Sequence, residues 1–177
     1  GSAQAFAAAV KAVRAASKRP LILVGKDAAA LDAGLAALSG ENPMICGADA
    51  SHWEAMAALA KQYSASLAVS GASLDELADL TAKIQAKGVE DMALEVKGDN
   101  LSKNLAFATQ LRRLALKSNF RPLGYPLVTF AEGGNGRDAV AAAQAISKYA
   151  GFVVLPRFAP ELFYPLLILR QNIYSNL

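Results

Sequence analysis

Two charged side chains, Glu95 and Lys97, are the best acid–base candidates in the sequence. They stand at the end of a short apolar run, residues 92–96, which predicts a strand. In proteins built from parallel strands and helices, active sites form beyond the carboxyl ends of the strands, where a carboxylate and an ammonium group could exchange protons with a substrate. The alternative interpretation, favoured by the residues alone, is an ion pair at the protein surface.

Other reactive side chains are scarce, because His52 is the only histidine and Cys46 the only cysteine. A histidine without cysteine or carboxylate partners at ligand spacing makes a poor metal site, so His52 is interpreted as a capping or packing residue. A single thiol can neither close an intramolecular disulfide nor hold an iron–sulfur cluster or structural zinc alone. We therefore expect this segment to be catalytically silent and to hold no cofactor and no metal.

Known cofactor motifs are also missing. The glycine-rich residues 133–136 have no lysine or serine at the spacing of a phosphate-binding loop. The turn at residues 24–27 lacks the dinucleotide fingerprint, and the G-x-S-x-G motif of a serine nucleophile is absent.

The overall composition indicates one globular domain. Of 177 residues, 54% are hydrophobic and 19% charged, and the net charge is only +3. No basic stripe predicts nucleic-acid binding, and no apolar run approaches the roughly 20 residues of a membrane span. A single cysteine fits a reducing, cytoplasmic location.

Helical and strand patterns alternate along the chain without exception. Apolar runs predict six strands, and helical periodicity with capping residues predicts seven helices. The predicted strands are residues 20–25, 43–48, 66–71, 92–96, 127–131 and 151–155, and the predicted helices are residues 4–18, 28–38, 51–63, 74–86, 99–117, 138–149 and 161–174.

Strands that are separated by helices must run parallel, with right-handed crossovers. The spacing of about 25 residues per unit favours a (β/α)8 barrel of the TIM type, which takes about 250 residues for eight units. Six strands make it a partial barrel, so two strands are missing and both sheet edges are open. The alternative fold class is an open, doubly wound parallel sheet.

The least generic stretch is residues 119–130, which includes a turn at residues 121–126 where Pro122 and Pro126 exclude a helix. Arg121 and Tyr125 place polar groups in it. We expect both to be partly buried and hydrogen-bonded to nearby carbonyls, which makes the turn a rigid connection. A recognition or assembly role is the alternative.

Several segments carry a resemblance to a known family. They are LRRLALK (residues 111–117), FRPLGYP (120–126), AISKYAG (145–151), PLLILRQNIY (165–174) and, in the first half, NPMICGADASHWEAMAALAKQY (42–63). Together they resemble the central barrel of the corrinoid iron–sulfur protein large subunit, whose archaeal counterpart is the gamma subunit of the acetyl-CoA decarbonylase/synthase complex.

The resemblance implies a role in the reductive acetyl-CoA pathway of carbon fixation. The family carries methyl groups on a cobalt corrinoid (a cobalamin), from a methyl-tetrahydropterin or folate donor to acetyl-CoA synthase. Its large subunit has an N-terminal 4Fe-4S domain, a central barrel and a C-terminal corrinoid-binding domain. Residues 1–177 resemble the barrel alone, so the resemblance implies a scaffold that lacks both cofactor domains.

The implied partners are the corrinoid iron–sulfur protein small subunit, in a heterodimer, and acetyl-CoA synthase and a methyltransferase through the full complex. The alternative is a self-sufficient barrel enzyme that acts on a small anionic substrate through Glu95 and Lys97. Few histidines, cysteines and paired carboxylates favour the scaffold. The candidate structural or interface residues are Asn119, Arg121, Tyr125, Arg170, Asn172 and Tyr174.

Overall fold

The structure, a computed structural model, describes residues 2–95, 97–98, 100–134 and 136–175. The chain divides into two compact units, residues 1–93 and 94–177. The first unit contains α1 (Ala3–Ala16), β1 (Ile22–Val24), α2 (Ala28–Ala36), β2 (Met44–Ala48), α3 (Trp53–Tyr63), β3 (Ser66–Ser70) and α4 (Leu74–Ala86). Strand β4 (Met92–Glu95) contains the division, and the second unit continues with α5 (Leu101–Lys117), a 3-10 turn (Arg121–Leu123), β5 (Leu127–Phe130), α6 (Arg137–Ser147), β6 (Phe152–Val154) and α7 (Pro160–Tyr174).

The six strands follow one another in the sheet in chain order, from β1 to β6. The pairs β1–β2, β2–β3, β4–β5 and β5–β6 are all parallel. A doubly wound sheet reverses its strand order at a switch point, whereas the strands of a (β/α)8 barrel follow in sequence. The order therefore confirms the predicted fold class and excludes the open doubly wound sheet.

Local capping signals place the helix ends close to their predicted positions. The Ser73 hydroxyl accepts a hydrogen bond from the Glu76 N–H at 3.1 Å, as the capping-box spacing predicts. The Glu76 carboxylate accepts the N–H of Ala72 rather than that of Ser73 itself. At the other end of α4, Gly88 adopts a left-handed conformation with φ +90°, which lets the chain leave the helix.

The core of the first unit is built from continuous apolar strands and one face of each helix. Its completely enclosed side chains include Leu31, Ile45, Met56, Leu67, Leu77 and Ile84. On helix α1, Val10 is buried, whereas Val13 is 48% exposed.

One cluster of buried residues in the second unit lies between α6, α7 and the end of β5. Ala142, Ile146, Leu162 and Leu166 pack there with Ala131. The sequence predicts the last helix from residue 161, which would place Pro165 near its start, but α7 begins at Pro160, so Pro165 is the sixth residue and lies in the second turn. Pro160 occupies the first position, where a backbone N–H would have no partner within the helix, so its absence costs no hydrogen bond.

The turn after α5 is anchored differently from the prediction. Arg121 is exposed, and Tyr125 is half-buried. Leu123 is only 1% exposed, and its N–H donates to the Phe120 carbonyl at 3.1 Å. The expectation that Arg121 is partly buried is therefore wrong, because an apolar side chain fixes the turn and leaves the guanidinium in solvent.

Truncation of these two turn residues should affect stability very differently. Leu123→Ala should lower the free energy of unfolding by about 2–5 kcal/mol, because it leaves a cavity in the core. Arg121→Ala should change that free energy by less than about 0.5 kcal/mol, as for most exposed sites. Urea denaturation followed by circular dichroism measures both values, and equal losses would contradict this account of the turn.

Candidate functional site

A cavity of about 690 Å³ lies in the second unit, at the carboxyl ends of β4 and β5 and between α5 and α6. Glu95 contributes to its wall from the end of β4 and Thr129 from β5, while Arg137 and Gln144 contribute from α6. Its volume is within the range of small-molecule sites, and its position at the strand ends is where barrel proteins place their ligands.

The predicted pair Glu95 and Lys97 meets at this cavity. The Lys97 Nζ lies 3.2 Å from the Glu95 Oε1, and the Lys97 side chain is 61% exposed. The two side chains therefore form the ion pair of the alternative interpretation, but its carboxylate is buried, since Glu95 is only 7% exposed. A buried carboxylate with one solvent-exposed partner keeps the capacity to accept further hydrogen bonds.

Asn104, on α5, adds a polar group that the sequence did not indicate. Its Oδ1 is buried and accepts no hydrogen bond within the described part of the chain. Gly98 packs directly against this amide, since a Cβ atom at residue 98 would lie 2.6 Å from the Asn104 Oδ1. No local sequence pattern indicates that a helical asparagine is buried at a cavity, because tertiary packing decides its surroundings.

Positive charges surround the same cavity. Among the described residues of its wall, Lys97 and Arg137 are exposed, Lys148 is half-buried, and Glu132 is an exposed acid. In the glycine-rich loop before α6, the Gly134 and Gly133 carbonyls accept the N–H groups of Arg137 and Asp138, which joins the loop to the first turn of the helix.

A second polar cluster lies in the first unit, just after β1 and β2. The Asp49 carboxylate accepts a hydrogen bond from the Lys26 Nζ at 2.8 Å and one from the His52 Nδ1 at 2.7 Å. It also accepts the backbone N–H groups of Ser51 and His52. His52 is the N-cap residue of α3, directly before Trp53, but its ring makes no capping hydrogen bond and contacts Asp49 instead. Because Asp49 and His52 are three residues apart, their spacing in the sequence could have indicated this contact.

Asp49 is strongly held in its ionised form. Burial on its own would raise the pKa of the Asp49 carboxyl. The hydrogen bonds from Lys26 and His52, together with the Ser51 N–H, outweigh burial and hold the pKa of that carboxyl well below its usual range. Because the ionised carboxylate only accepts hydrogen bonds, the facing ring nitrogen of His52 carries the proton.

Asp49→Asn should lower stability in a pH-dependent way. The folded-state pKa of Asp49 lies below the unfolded value of about 3.9, so its contribution is complete above about pH 5 and is lost as the pH falls below about 4. At pH 7 the loss should be about 1–3 kcal/mol. In thermal melts from pH 7 to pH 2, the difference in melting temperature between the two proteins should narrow as the pH falls. The exposed carboxylate variant Asp91→Asn is the control, and a gap between Asp49→Asn and the unsubstituted protein that does not narrow would contradict the assignment.

Within the described ranges, no group of three or more histidine, cysteine, aspartate and glutamate side chains is placed to hold a metal ion. None of the described helices has the length and apolar character to cross a membrane.

Comparison with protein families identifies the chain. The family model described as CO dehydrogenase/acetyl-CoA synthase delta subunit matches residues 1–176. The chain belongs to this family. This match, together with the large and gamma subunits among the relatives described next, confirms the resemblance that the sequence motifs carried.

The curated relatives of this chain include large and gamma subunits. The Moorella thermoacetica corrinoid/iron-sulfur protein large subunit is 40% identical over 173 residues, which are 97% of this chain and 39% of that protein. The Archaeoglobus fulgidus acetyl-CoA decarbonylase/synthase complex subunit gamma is 26% identical over 190 residues, covering 99% of this chain and 40% of that protein. The chain therefore spans about two-fifths of the length of these relatives.

Two solved structures share the fold of this family member. Mycobacterium tuberculosis Rv1207 gives a TM-score of 0.68 at 16% identity and covers 97% of this chain and 76% of its own. Yersinia pestis DHPS with a pterine-sulfa conjugate gives a TM-score of 0.66 at 18% identity, covering 94% of this chain and 74% of its own. At such low identities the likeness shows the fold alone, which is TIM-barrel-like.

Two of the six predicted interface residues, Arg170 and Tyr174, belong to an aromatic cluster. The Arg170 guanidinium lies 5.2 Å from the centre of the Tyr174 ring, and that ring meets Tyr149 edge-on at 5.6 Å. On the other side, the Arg112 guanidinium lies 5.4 Å from the Tyr149 ring. Both side chains therefore make contacts within the chain. Their role in an interface stays a prediction. The predicted interface residues that are exposed outside the cluster are Asn119, Arg121 and Asn172.

Proposed function

We propose that this chain is the barrel scaffold of a corrinoid iron–sulfur methyl-carrier protein. The observation that supports the proposal is 40% identity to a corrinoid/iron-sulfur protein large subunit across 97% of the chain. Taking a methyl group from a tetrahydropterin or folate donor and delivering it to acetyl-CoA synthase would be an activity of the whole protein, in the cytoplasm. The segment would contribute the rigid body on which cofactor domains and partner subunits assemble.

The residues of this segment do not fit the iron–sulfur cluster that the relative's name implies. A 4Fe-4S cluster needs four thiolates, and the sequence has the single cysteine Cys46, which is 2% exposed inside the core. We therefore assign the cluster and the corrinoid to other parts of the full-length protein and derive no reaction step from them here.

Metal analysis of the purified 177-residue chain tests that assignment. We expect less than stoichiometric cobalt and iron by inductively coupled plasma mass spectrometry, and no visible absorption band. One equivalent of tightly bound cobalt, or an iron–sulfur absorption band, would overturn the assignment.

The scaffold role itself predicts a specific partner. Mixed with the corrinoid iron–sulfur protein small subunit of the same organism, the chain should form a 1:1 heterodimer in size-exclusion chromatography with light scattering. The full-length large subunit serves as the positive control. If that subunit forms the heterodimer and the 177-residue chain leaves the small subunit monomeric, the pairing surface lies elsewhere and the scaffold proposal fails.

A further inference from the structure

We infer that the aromatic cluster, formed by Arg112, Tyr149, Arg170 and Tyr174, is the surface on which this chain docks the small subunit of its heterodimer. The inference rests on the proposed function, which names the partner but not the surface. It also assigns the chemistry of the docking segment in the partner, which presents carboxylates next to an apolar side chain. All four residues of the cluster lie in the second unit.

Tyr149 holds a backbone conformation that bulky residues avoid. It follows α6 with φ +60°, and the Ala150 N–H donates to the Ala145 carbonyl at 3.0 Å, as in helix ends that usually have glycine at this position. The other described non-glycine residues with positive φ are the small residues Ser64 and Asn119. Strained conformations concentrate at functional sites, so this one points to a role for the tyrosine ring.

The exposure of the cluster and its contacts are those of a binding surface. The Tyr149 ring is 49% exposed and the Tyr174 ring 38%, so neither is needed to fill the core. Arg112 lies over the first ring and Arg170 over the second. A guanidinium group held on a ring loses less side-chain freedom when its N–H groups bind a partner. Tyrosine and arginine are also the residue types that contribute most to protein interfaces.

Charge determines which partner fits the cluster. Neither guanidinium group has a carboxylate partner in the described part of the chain. The acids of the second unit all end a strand, follow one, or stand at the start of a helix in the sequence: Glu95, Asp99, Glu132, Asp138 and Glu161. The cluster lies at the opposite ends of α6 and α7. Because a guanidinium group offers a forked pair of N–H donors that matches a carboxylate, the complementary partner is acidic.

The same charges disfavour two other occupants. In a symmetric pair of copies, Arg112 and Arg170 would face the same two arginines, and like charges repel. A nucleic acid binds aromatic side chains by stacking its bases on open ring faces, whereas a guanidinium group already covers one face of each tyrosine ring. An acidic protein segment needs only the N–H groups of the two arginines.

An apolar pocket of about 180 Å³ adjoins the cluster, between α7 and β6. Val153, Phe163 and Leu166 line it together with Arg170 and Tyr174, and Arg170 is the one charged side chain among its described lining residues. The pocket is smaller than the roughly 300–1,000 Å³ of small-molecule sites and suits a single apolar side chain. A partner segment with an apolar residue beside carboxylates would fill the pocket and pair with Arg170 at once.

Calorimetry with the full-length large subunit and the small subunit of the same organism tests the inference. Tyr149→Gly should weaken the heterodimer at least about tenfold, while the melting temperature changes by only a few degrees, because glycine relieves the strained φ. Arg170→Gln should also weaken it at least about tenfold, and Arg170→Glu further, since a carboxylate repels an acidic partner. Arg113→Gln is the control, because it removes the same charge from an exposed site outside the cluster, and it should change the Kd less than about threefold.

The outcomes separate this inference from the proposed function. If the unsubstituted subunits do not bind each other, both fail. If they bind and Arg170→Gln leaves the Kd unchanged, the inference alone fails. Equal effects of Arg170→Gln and Arg113→Gln would show a general attraction of charge, and equal effects of Arg170→Gln and Arg170→Glu would show that the partner is not acidic, so either result overturns it. If Tyr149→Gly fails to fold, the Arg170 variants decide.

A nucleic-acid probe completes the test. An oligomer of about 20 deoxythymidines should not bind the large subunit through the cluster. Binding of that oligomer that Arg170→Gln abolishes would assign the surface to single-stranded nucleic acid and overturn the inference.

Discussion

Gly47→Ala should prevent folding or remove most of the stability of the protein. Gly47 lies in β2 with φ +144°, a conformation that residues with a Cβ rarely adopt. A Cβ atom there would lie 1.8 Å from the carbonyl oxygen of Gly25, just after β1, so the two backbones would have to separate. We expect a loss of about 4 kcal/mol or more, which is a large part of the 5–15 kcal/mol of a typical domain. Thermal melts and soluble yield measure it.

Matched glycine variants separate this contact from a general effect of alanine. Gly25→Ala alters the other side of the same contact, but its Cβ would meet only the Leu31 side chain at an ordinary 3.8 Å, so the loss should stay below about 1 kcal/mol. Gly40 has φ +86° and open space around it. Gly40→Ala should therefore lower the free energy of unfolding by about 1 kcal/mol through backbone strain alone. If Gly47→Ala melts at the same temperature as Gly25→Ala, β1 and β2 do not approach as closely as described.

The sequence predicted the strand that contains Gly47 but not this contact. The apolar run at residues 43–48 predicts a strand, and a glycine inside a strand suggests a bulge or a close approach of another backbone. The structure shows a shift of register between Cys46 and Ala48 and identifies the approaching backbone as that of Gly25. Which backbone approaches is decided by strand pairing, and no local pattern contains that information. The cap between Ser73 and Glu76 was predictable because its partners are three residues apart.

In the candidate sites, too, residues close together in the sequence were predictable and residues brought together by the fold were not. Glu95 and Lys97 were identified because they follow one strand and lie two residues apart. Asn104 and Arg137 were missed, because separate helices bring them to the cavity. Lys26, in the first unit, was missed as the partner of Asp49 for the same reason, since 23 residues separate the two.

The turn at Arg121 shows a different limit. Two prolines fix the backbone around it, and that rigidity suggested a buried, hydrogen-bonded arginine. Proline restricts dihedral angles but does not decide which side chain faces the core. Leu123 faces the core and Arg121 faces solvent, as the burial of the two residues shows.

The isolated 177-residue chain should self-associate. Strands β1 and β6 stand at the ends of the sheet order, so each has one unpaired edge, and unpaired edges recruit other chains. Beside β6, the last helix and the loop before it expose large apolar side chains: Phe158 81%, Tyr164 67%, Leu167 49% and Ile168 41%. A closed barrel of eight strands would cover such edges with two further units. Light scattering should therefore give a mass above the 18.5 kDa of one chain at micromolar concentrations.

Surface variants connect the association to α7. Leu167→Lys with Ile168→Lys should shift the chain toward 18.5 kDa, because two charges on the exposed apolar face oppose its burial in a contact between chains. Leu116→Lys, at a position that is 68% exposed on α5, is the matched control and should leave the association unchanged. Hydrogen exchange of the β6 amides provides a second measurement, since strands that pair between chains protect their edge amides. A chain that stays monomeric at high concentration, with rapidly exchanging β6 amides, would show that the six strands are stable with open edges.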